Sequence, residues 1–191
     1  MNPLKVIGIG GPSGAGKTLL CDYFDKQGFH VVDVDALAHA LYQEQTVIDQ
    51  VASLFPTACD LGRVNRAKLA EIVFSDQQAL NKLNQLMRPL LQEAVKASIH
   101  PDKHTLIDMA ILFDTTVVSL CDATVFVTAD EMIRKRRLLL RGYTPDTAGK
   151  MIERQAYMED TAKQASLIIE NNDDFGPVIA QLDAFFQEVI G

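Results

Sequence analysis

Eight consecutive residues limit what this chain can fold into more than any other stretch. Gly11-Pro12-Ser13-Gly14-Ala15-Gly16-Lys17-Thr18 is a full G-x-x-x-x-G-K-T run. It follows the aliphatic segment Leu4-Lys5-Val6-Ile7-Gly8-Ile9 and opens a stretch with Leu19, Leu20, Tyr23 and Phe24 at helical spacing. Strand, glycine-rich loop and helix in that order are the context a phosphate-binding loop requires. Glycines let successive backbone N–H groups converge on phosphate oxygens, and the helix N-terminus adds partial positive charge. Lys17 supplies a point charge to the β- and γ-phosphates, and the Thr18 hydroxyl can ligate the Mg²⁺ that accompanies them. Gly11, Ser13, Gly14, Ala15, Gly16, Lys17, Thr18 and Leu19 are therefore the predicted nucleotide-binding residues.

Four further Val- and Ile-rich runs follow: Phe29–Val34, His104–Asp108, Ala123–Val127 and Leu167–Glu170. They show little apolar–polar alternation, as strands buried on both faces do. Helix-period stretches separate them, so right-handed crossovers would build a doubly wound α/β fold with a five-stranded parallel sheet. About 70 residues without a strong strand signal separate the second run from the third. Asn65 and Asp76 read there as helix N-caps, and Gln78–Ile99 carries leucines at helical spacing. Phe55–Ala58 and Asp60–Gly62 read as loop. The prediction is one domain spanning 1–191, with a helical insert at about 45–100 and a second insert at about 130–164. The second insert holds Arg134, Lys135, Arg136, Arg137, Arg141, Lys150 and Arg154, and Gly142 and Pro145 break it as a mobile hairpin would need. Most of the run from Arg134 to Arg137 is expected on a solvated helix face.

Charge and composition remove several functional classes. Acidic residues number 25 against 18 basic ones, a net charge of −7, which argues against a nucleic-acid partner. Cys21, Cys59 and Cys121 are odd in number and lack C-x-x-C spacing, so free thiols are expected rather than disulfides or a zinc site. No apolar run approaches the roughly 18 residues of a membrane span. The start, Met1-Asn2-Pro3-Leu4-Lys5, lacks the features of a signal peptide. A cytoplasmic chain with no membrane partner is expected, as a monomer or weak homo-oligomer.

A switch and a transferase can use the same loop. No N-K-x-D guanine reader is present, and Asp174-Phe175-Gly176 lies after the last strand without an H-R-D loop upstream, so it reads as a turn before the final helix. A short chain with an arginine-rich insert suits small-molecule phosphotransfer, in which a closing lid expels water and stabilises charge. Asp33 and Asp35 end the second strand, at the ligand edge of an open α/β sheet. They share a side only if strand geometry persists, and Asp35 reads equally as the cap of the next helix. Either could accept or orient the proton of an attacking hydroxyl. Asp108, ending the third strand, could hold Mg²⁺ through water or serve a strand-end turn.

With these residues assembled, the chain resembles the dephospho-coenzyme A kinase family of P-loop kinases over nearly its whole length. The resemblance runs through the P-loop and Gly28–Asp35 with Ala38-His39 and Leu41-Tyr42. It continues through Arg66, Leu69 and Ile72-Val73-Phe74, Leu83–Leu90, Ile111–Asp114, Arg137 and Arg141, Gln155, and Ile168–Asn171. It implies ATP-dependent phosphorylation of the ribose 3′-hydroxyl of dephospho-CoA, with a helical substrate-binding insert and an Arg-rich lid. It makes Asp35, with Lys17, catalytic and gives Arg141 a charge-stabilising lid role and Arg137 a nucleotide contact. Asp33, Asp35, His39, Arg66, Arg88 and Asp108 become the implied acceptor-site residues. Gly10, Arg88, Ala110, Asp114 and Ser166 depart from the family's pattern. Another nucleoside or small-metabolite kinase of the same fold, and a nucleotide-dependent binding module, are the competing readings.

Overall fold

A computed structural model describes residues 3–172 and 175–191. The chain runs β1 (Val6–Gly10), α1 (Lys17–Lys26), β2 (His30–Asp33), α2 (Val34–Leu41), α3 (Gln45–Leu54), β3 (Cys59–Asp60) and β4 (Arg63–Val64). It continues with α4 (Arg66–Ser75), α5 (Gln77–Ala97), β5 (Thr105–Asp108), β6 (Ala123–Thr128) and α6 (Glu131–Leu140). Last come α7 (Pro145–Arg154), α8 (Met158–Thr161), β7 (Leu167–Glu170) and α9 (Phe175–Ile190).

The five long-range strands form one parallel sheet in the order β2-β5-β1-β6-β7, the doubly wound arrangement expected from the sequence. Ile7, Ile9, Leu106, Val125, Val127 and Ile169 are fully buried in it. Leu20 and Phe24 of α1 and Val178, Leu182 and Phe186 of α9 join the same core. The β1–P-loop junction needs glycine at position 11, where φ is +135° and a Cβ would collide with the Val127 carbonyl.

Residues Val34–Ser98 form a compact unit of their own, and Met1–Asp33 with Ile99–Gly191 form another. The helical unit has a separate aliphatic core in which Val47, Val51, Phe55, Leu69, Val73 and Leu83 pack together. Asn65 and Asp76 cap as the sequence predicts. The Asn65 side chain accepts from the Lys68 N–H at 3.2 Å, and that of Asp76 from the Gln78 N–H at 2.8 Å. The segment read as loop differs in two places: Pro56–Ala58 form a single 3-10 turn, and the short hairpin β3–β4 turns through Leu61 and Gly62, both at positive φ.

In the second insert, α6 ends at Leu140 and the chain turns at Gly142, where φ is +90°, before Thr144 caps α7 with Pro145 at its first position. Leu138, Ala148 and Ile152 pair the two helices. Phe175 and Gly176 begin α9, while Asp173 and Asp174 lie outside the described residues. No helix among the described residues is long and apolar enough to cross a membrane.

Candidate functional site

The P-loop is held from behind by side chains far away in sequence. Arg134 Nε–H donates to the Ser13 carbonyl at 3.1 Å, and Arg137 Nη1 donates to the Gly14 and Ala15 carbonyls at 3.3 Å each. The buried Asn171 amide donates to the Ala15 carbonyl at 2.7 Å. Gln155, at the end of α7, accepts the Ser13 N–H at 2.9 Å and donates to the Ser13 hydroxyl at 3.3 Å. Lys17 Nζ donates to the Gly11 carbonyl at 2.7 Å, holding its charge across the loop. Thr18 and Leu19 follow in the first turn of α1, with the Thr18 side chain at the surface.

One expectation is corrected here. Arg134 is 3% exposed, so it belongs to the loop's support and not to a solvated face. Together with Arg137 and Arg141 it follows the i, i+3, i+7 spacing of one helical stripe. The Arg137 guanidinium is pulled below its ordinary pKa by burial first and by the neighbouring Arg141 charge second. Arg141, just past the end of α6, lines a cavity of about 340 Å³ with Gly16, Leu19, Arg137, Leu140, Asn171 and Phe175. Leu19 and Leu140 are 49% and 78% exposed there, an apolar rim of the kind a planar base can cover.

Asp33 and Asp108 stand in register on the neighbouring strands β2 and β5, and Asp108 is also in register with Ile9 of β1. Parallel strands lie about 4.8 Å apart, so two carboxylates share one stretch of the sheet edge beside the P-loop strand. The Cys21 thiol of α1 donates toward Asp108. Burial first, and then that carboxylate, push its pKa far up, which keeps the Cys21 thiol protonated. Among the described residues no group of three or more His, Cys, Asp or Glu converges to cage a metal. One hydroxyl and one or two carboxylates are, however, the hard oxygen donors Mg²⁺ takes when phosphates complete its shell.

The two carboxylates of the D-x-D stretch have different settings. Strand geometry stops at Asp33, and α2 begins at Val34, so Asp35 lies inside the first helical turn and is not its cap. A carboxylate there is favoured by the helix dipole. Within the helical unit, His39 and Arg66 line one cavity of about 600 Å³ together with Tyr42, Gln43, Arg63 and Val64, and its lining contains no carboxylate. Arg66 is the first residue of α4, adding a helix N-terminus to the local positive potential. Burial raises the Tyr42 pKa, and the Arg66 charge opposes that shift. Arg88 stands exposed on α5, outside the cavity lining.

Sequence reasoning left out Arg63, Tyr42, Gln155 and Asn171 as site residues. Gln155 and Asn171 touch loop atoms 142 and 156 positions away, a distance over which no local pattern is visible. Several departures from the family pattern are internally accommodated. A Cβ on Gly10 would come within 2.8 Å of the Phe113 ring. Asp114 accepts the Tyr157 hydroxyl at 2.9 Å, and burial with that bond pushes the Tyr157 pKa up to about 12. Ser166 and Thr124 exchange hydrogen bonds of 3.1 and 3.2 Å that join the starts of β6 and β7.

With this geometry in place, similarity to known proteins is specific. The family model described as dephospho-CoA kinase matches residues 5–176. The dephospho-CoA kinase of Nitrobacter winogradskyi is 31% identical over 185 residues, covering 94% of this chain and 92% of that protein. A solved structure from Thermus thermophilus superposes with a TM-score of 0.84 at 27% identity, covering 100% of both chains. The dephospho-CoA kinase structure from Campylobacter jejuni shares the fold, with a TM-score of 0.61 at 15% identity and 97% of each chain covered.

Proposed function

Because the chain belongs to the dephospho-CoA kinase family, we propose that it moves the γ-phosphoryl group of ATP to the ribose 3′-hydroxyl of dephospho-CoA, giving coenzyme A and ADP. The observation that carries the residue assignment is the convergence, at the carboxyl ends of β1, β2 and β5, of the P-loop with Lys17 and the Asp33–Asp108 pair.

In this reading the loop amides and Lys17 bind the β- and γ-phosphates, while Leu19, Leu140 and the Arg137–Arg141 pair take the adenosine end in the cavity beside Asn171. Asp35 accepts the proton of the 3′-hydroxyl as its oxygen attacks the γ-phosphorus. The β–γ bridging oxygen leaves with ADP, and the new bond is the 3′-phosphoester. Arg141 meets negative charge on the transferring group, which is worth more in the transition state than in the ground state. Thr18, with Asp108 and Asp33 behind it, would hold Mg²⁺, which supplies charge neutralisation on the β- and γ-oxygens when bound. His39, Arg63 and Arg66 receive the acceptor's own diphosphate in their cavity, where arginine forks and a helix N-terminus both suit phosphate. The reaction's setting is the cytoplasm.

The test is ADP release, coupled to a reporter, across dephospho-CoA, nucleosides and small hydroxy-metabolites. Stimulation by dephospho-CoA well above the water-hydrolysis rate is expected. Stimulation by a different acceptor alone would overturn the proposed substrate.

A further inference from the structure

Arg134 is the one charged residue buried among the described residues. Its Nη2 has no hydrogen-bond partner there and no access to water. Glu159 first and Glu131 second act on its charge, against the effect of burial. A buried guanidinium with one nitrogen left unbonded lowers stability relative to an apolar side chain of similar volume. Packing therefore does not explain why this position carries a cation.

The backbone around it does. A Cβ on Gly14 would lie 2.7 Å from the Arg134 carbonyl oxygen, so the P-loop packs directly against the α6 backbone there. The start of α6 is fixed by a reciprocal pair, Asp130 N–H to Asn172 Oδ1 at 2.7 Å and Asn172 Nδ2 to Asp130 at 3.1 Å. Every peptide bond among the described residues is trans, so each C=O points opposite to the N–H that follows it. Pinning the Ser13 carbonyl on Arg134 thus aims the Gly14 N–H the other way, and pinning the Ala15 carbonyl on Asn171 and Arg137 does the same for Gly16. The Ala15 N–H closes a turn onto the Pro12 carbonyl at 3.2 Å. The loop's amides are sorted by what holds their carbonyls.

We propose that Arg134 is a positioning residue for the nucleotide: it aims the Gly14 N–H at the phosphates of bound ATP, and its buried charge raises the positive potential of the cradle. This rests on the reading of the P-loop as an ATP site. Arg137, one turn on, does not replace it, because its two loop bonds go to the next two carbonyls.

Three variants separate the contributions. Arg134→Met removes donor and charge at similar volume, Arg134→Gln keeps an N–H donor without charge, and Arg134→Lys keeps charge without the planar Nε–H. The readouts are Kd for ADP and for a non-hydrolysable ATP analogue by calorimetry, KM for both substrates, and the melting temperature of the nucleotide-free protein. Arg134→Met should raise both nucleotide Kd values by about 10- to 100-fold. KM for dephospho-CoA should stay within twofold, and the melting temperature should change by about 3 °C or less. Arg134→Gln should recover part of the affinity, and Arg134→Lys another part. If Arg134→Met is too unstable to measure, the Gln and Lys variants decide. A lowered melting temperature with nucleotide Kd values at wild-type level would make Arg134 purely structural and overturn the proposal. Wild-type protein that binds neither ADP nor the analogue would instead overturn the ATP-site reading, and this role with it.

Discussion

Around the P-loop, the carbonyls of Ser13, Gly14 and Ala15 each meet a side chain from the far end of the chain, and two of those side chains, Arg134 and Asn171, are buried. Around the cavity of the helical unit, His39, Arg63 and Arg66 are all exposed, and the hairpin that carries Arg63 is only two residues per strand. Its nearest fixed ion pair, Lys68–Asp60 at 2.9 Å, is itself half in solvent. One region is backbone fixed before any ligand arrives, and the other is exposed side chains on a small scaffold. Preorganised donors lose no reorganisation energy in the reaction, whereas exposed ones are screened and must be ordered on binding. Changes in the loop should therefore fall on turnover and nucleotide affinity by large factors, and changes in the cavity on acceptor KM by small ones.

The largest effect is expected from Lys17→Ala. It removes the charge held across the loop while leaving the supports of the Ser13, Gly14 and Ala15 carbonyls in place, so kcat should fall by about 10³-fold or more with an unaltered melting curve. Near-normal turnover in well-folded protein would dissolve the contrast between the regions. Next is Asp35→Asn, for which general-base loss predicts about 10²–10⁴-fold in kcat, toward the lower end because phosphoryl transfer is loose. ADP affinity should not move. Asp33→Asn should be milder, and the reverse order in single-turnover rates would exchange the two assignments.

Asp35 also shows where sequence reasoning stops. The D-x-D spacing is legible, but whether both residues face one way depends on where β2 ends, and the helix takes over at Val34. The five sheet strands are legible because Val- and Ile-rich runs on a doubly covered sheet need no partner information. The caps Asn65 and Asp76 are legible because the capping bond closes within three residues. β3 and β4 are too short to carry a period. Arg134 reads as solvated because a run of four cations normally is. The available signal was its spacing to Arg137 and Arg141 along one stripe, with the apolar Leu138 beside them. Burial of Arg134 is a property of α6 packing on a loop 121 positions away.

Arg141 tests the boundary between the regions' styles, since it belongs to the loop's stripe but is exposed like the cavity residues. Arg141→Ala should lower kcat on the order of tenfold to a hundredfold, less than a buried donor because solvent screens it. KM for ATP should rise much less. A loss carried wholly by KM would make Arg141 a ground-state clamp on the nucleotide.

The smallest expected effect is Arg63→Ala, and it is the most discriminating. Arg63 lies across the β3–β4 turn from Asp60 and shares its cavity with Arg66, His39 and Tyr42. Exposed charge pairs contribute only about 0.2–1 kcal/mol, and 1 kcal/mol is about fivefold in an equilibrium constant. KM for dephospho-CoA should thus rise up to about fivefold, with kcat and KM for ATP unchanged. The Debye length shortens from about 10 Å at 0.1 M salt to about 3 Å at 1 M, so the difference from wild type should shrink as salt is added. Arg66→Ala should cost more, since its side chain starts at the α4 N-terminus, and the double variant should show coupling if both arginines meet the same diphosphate. An acceptor trimmed to its nucleoside, with no diphosphate, should be indifferent to Arg63→Ala. If that trimmed acceptor loses as much as dephospho-CoA does, the cavity acts through the fold of the helical unit and not through contact with phosphate.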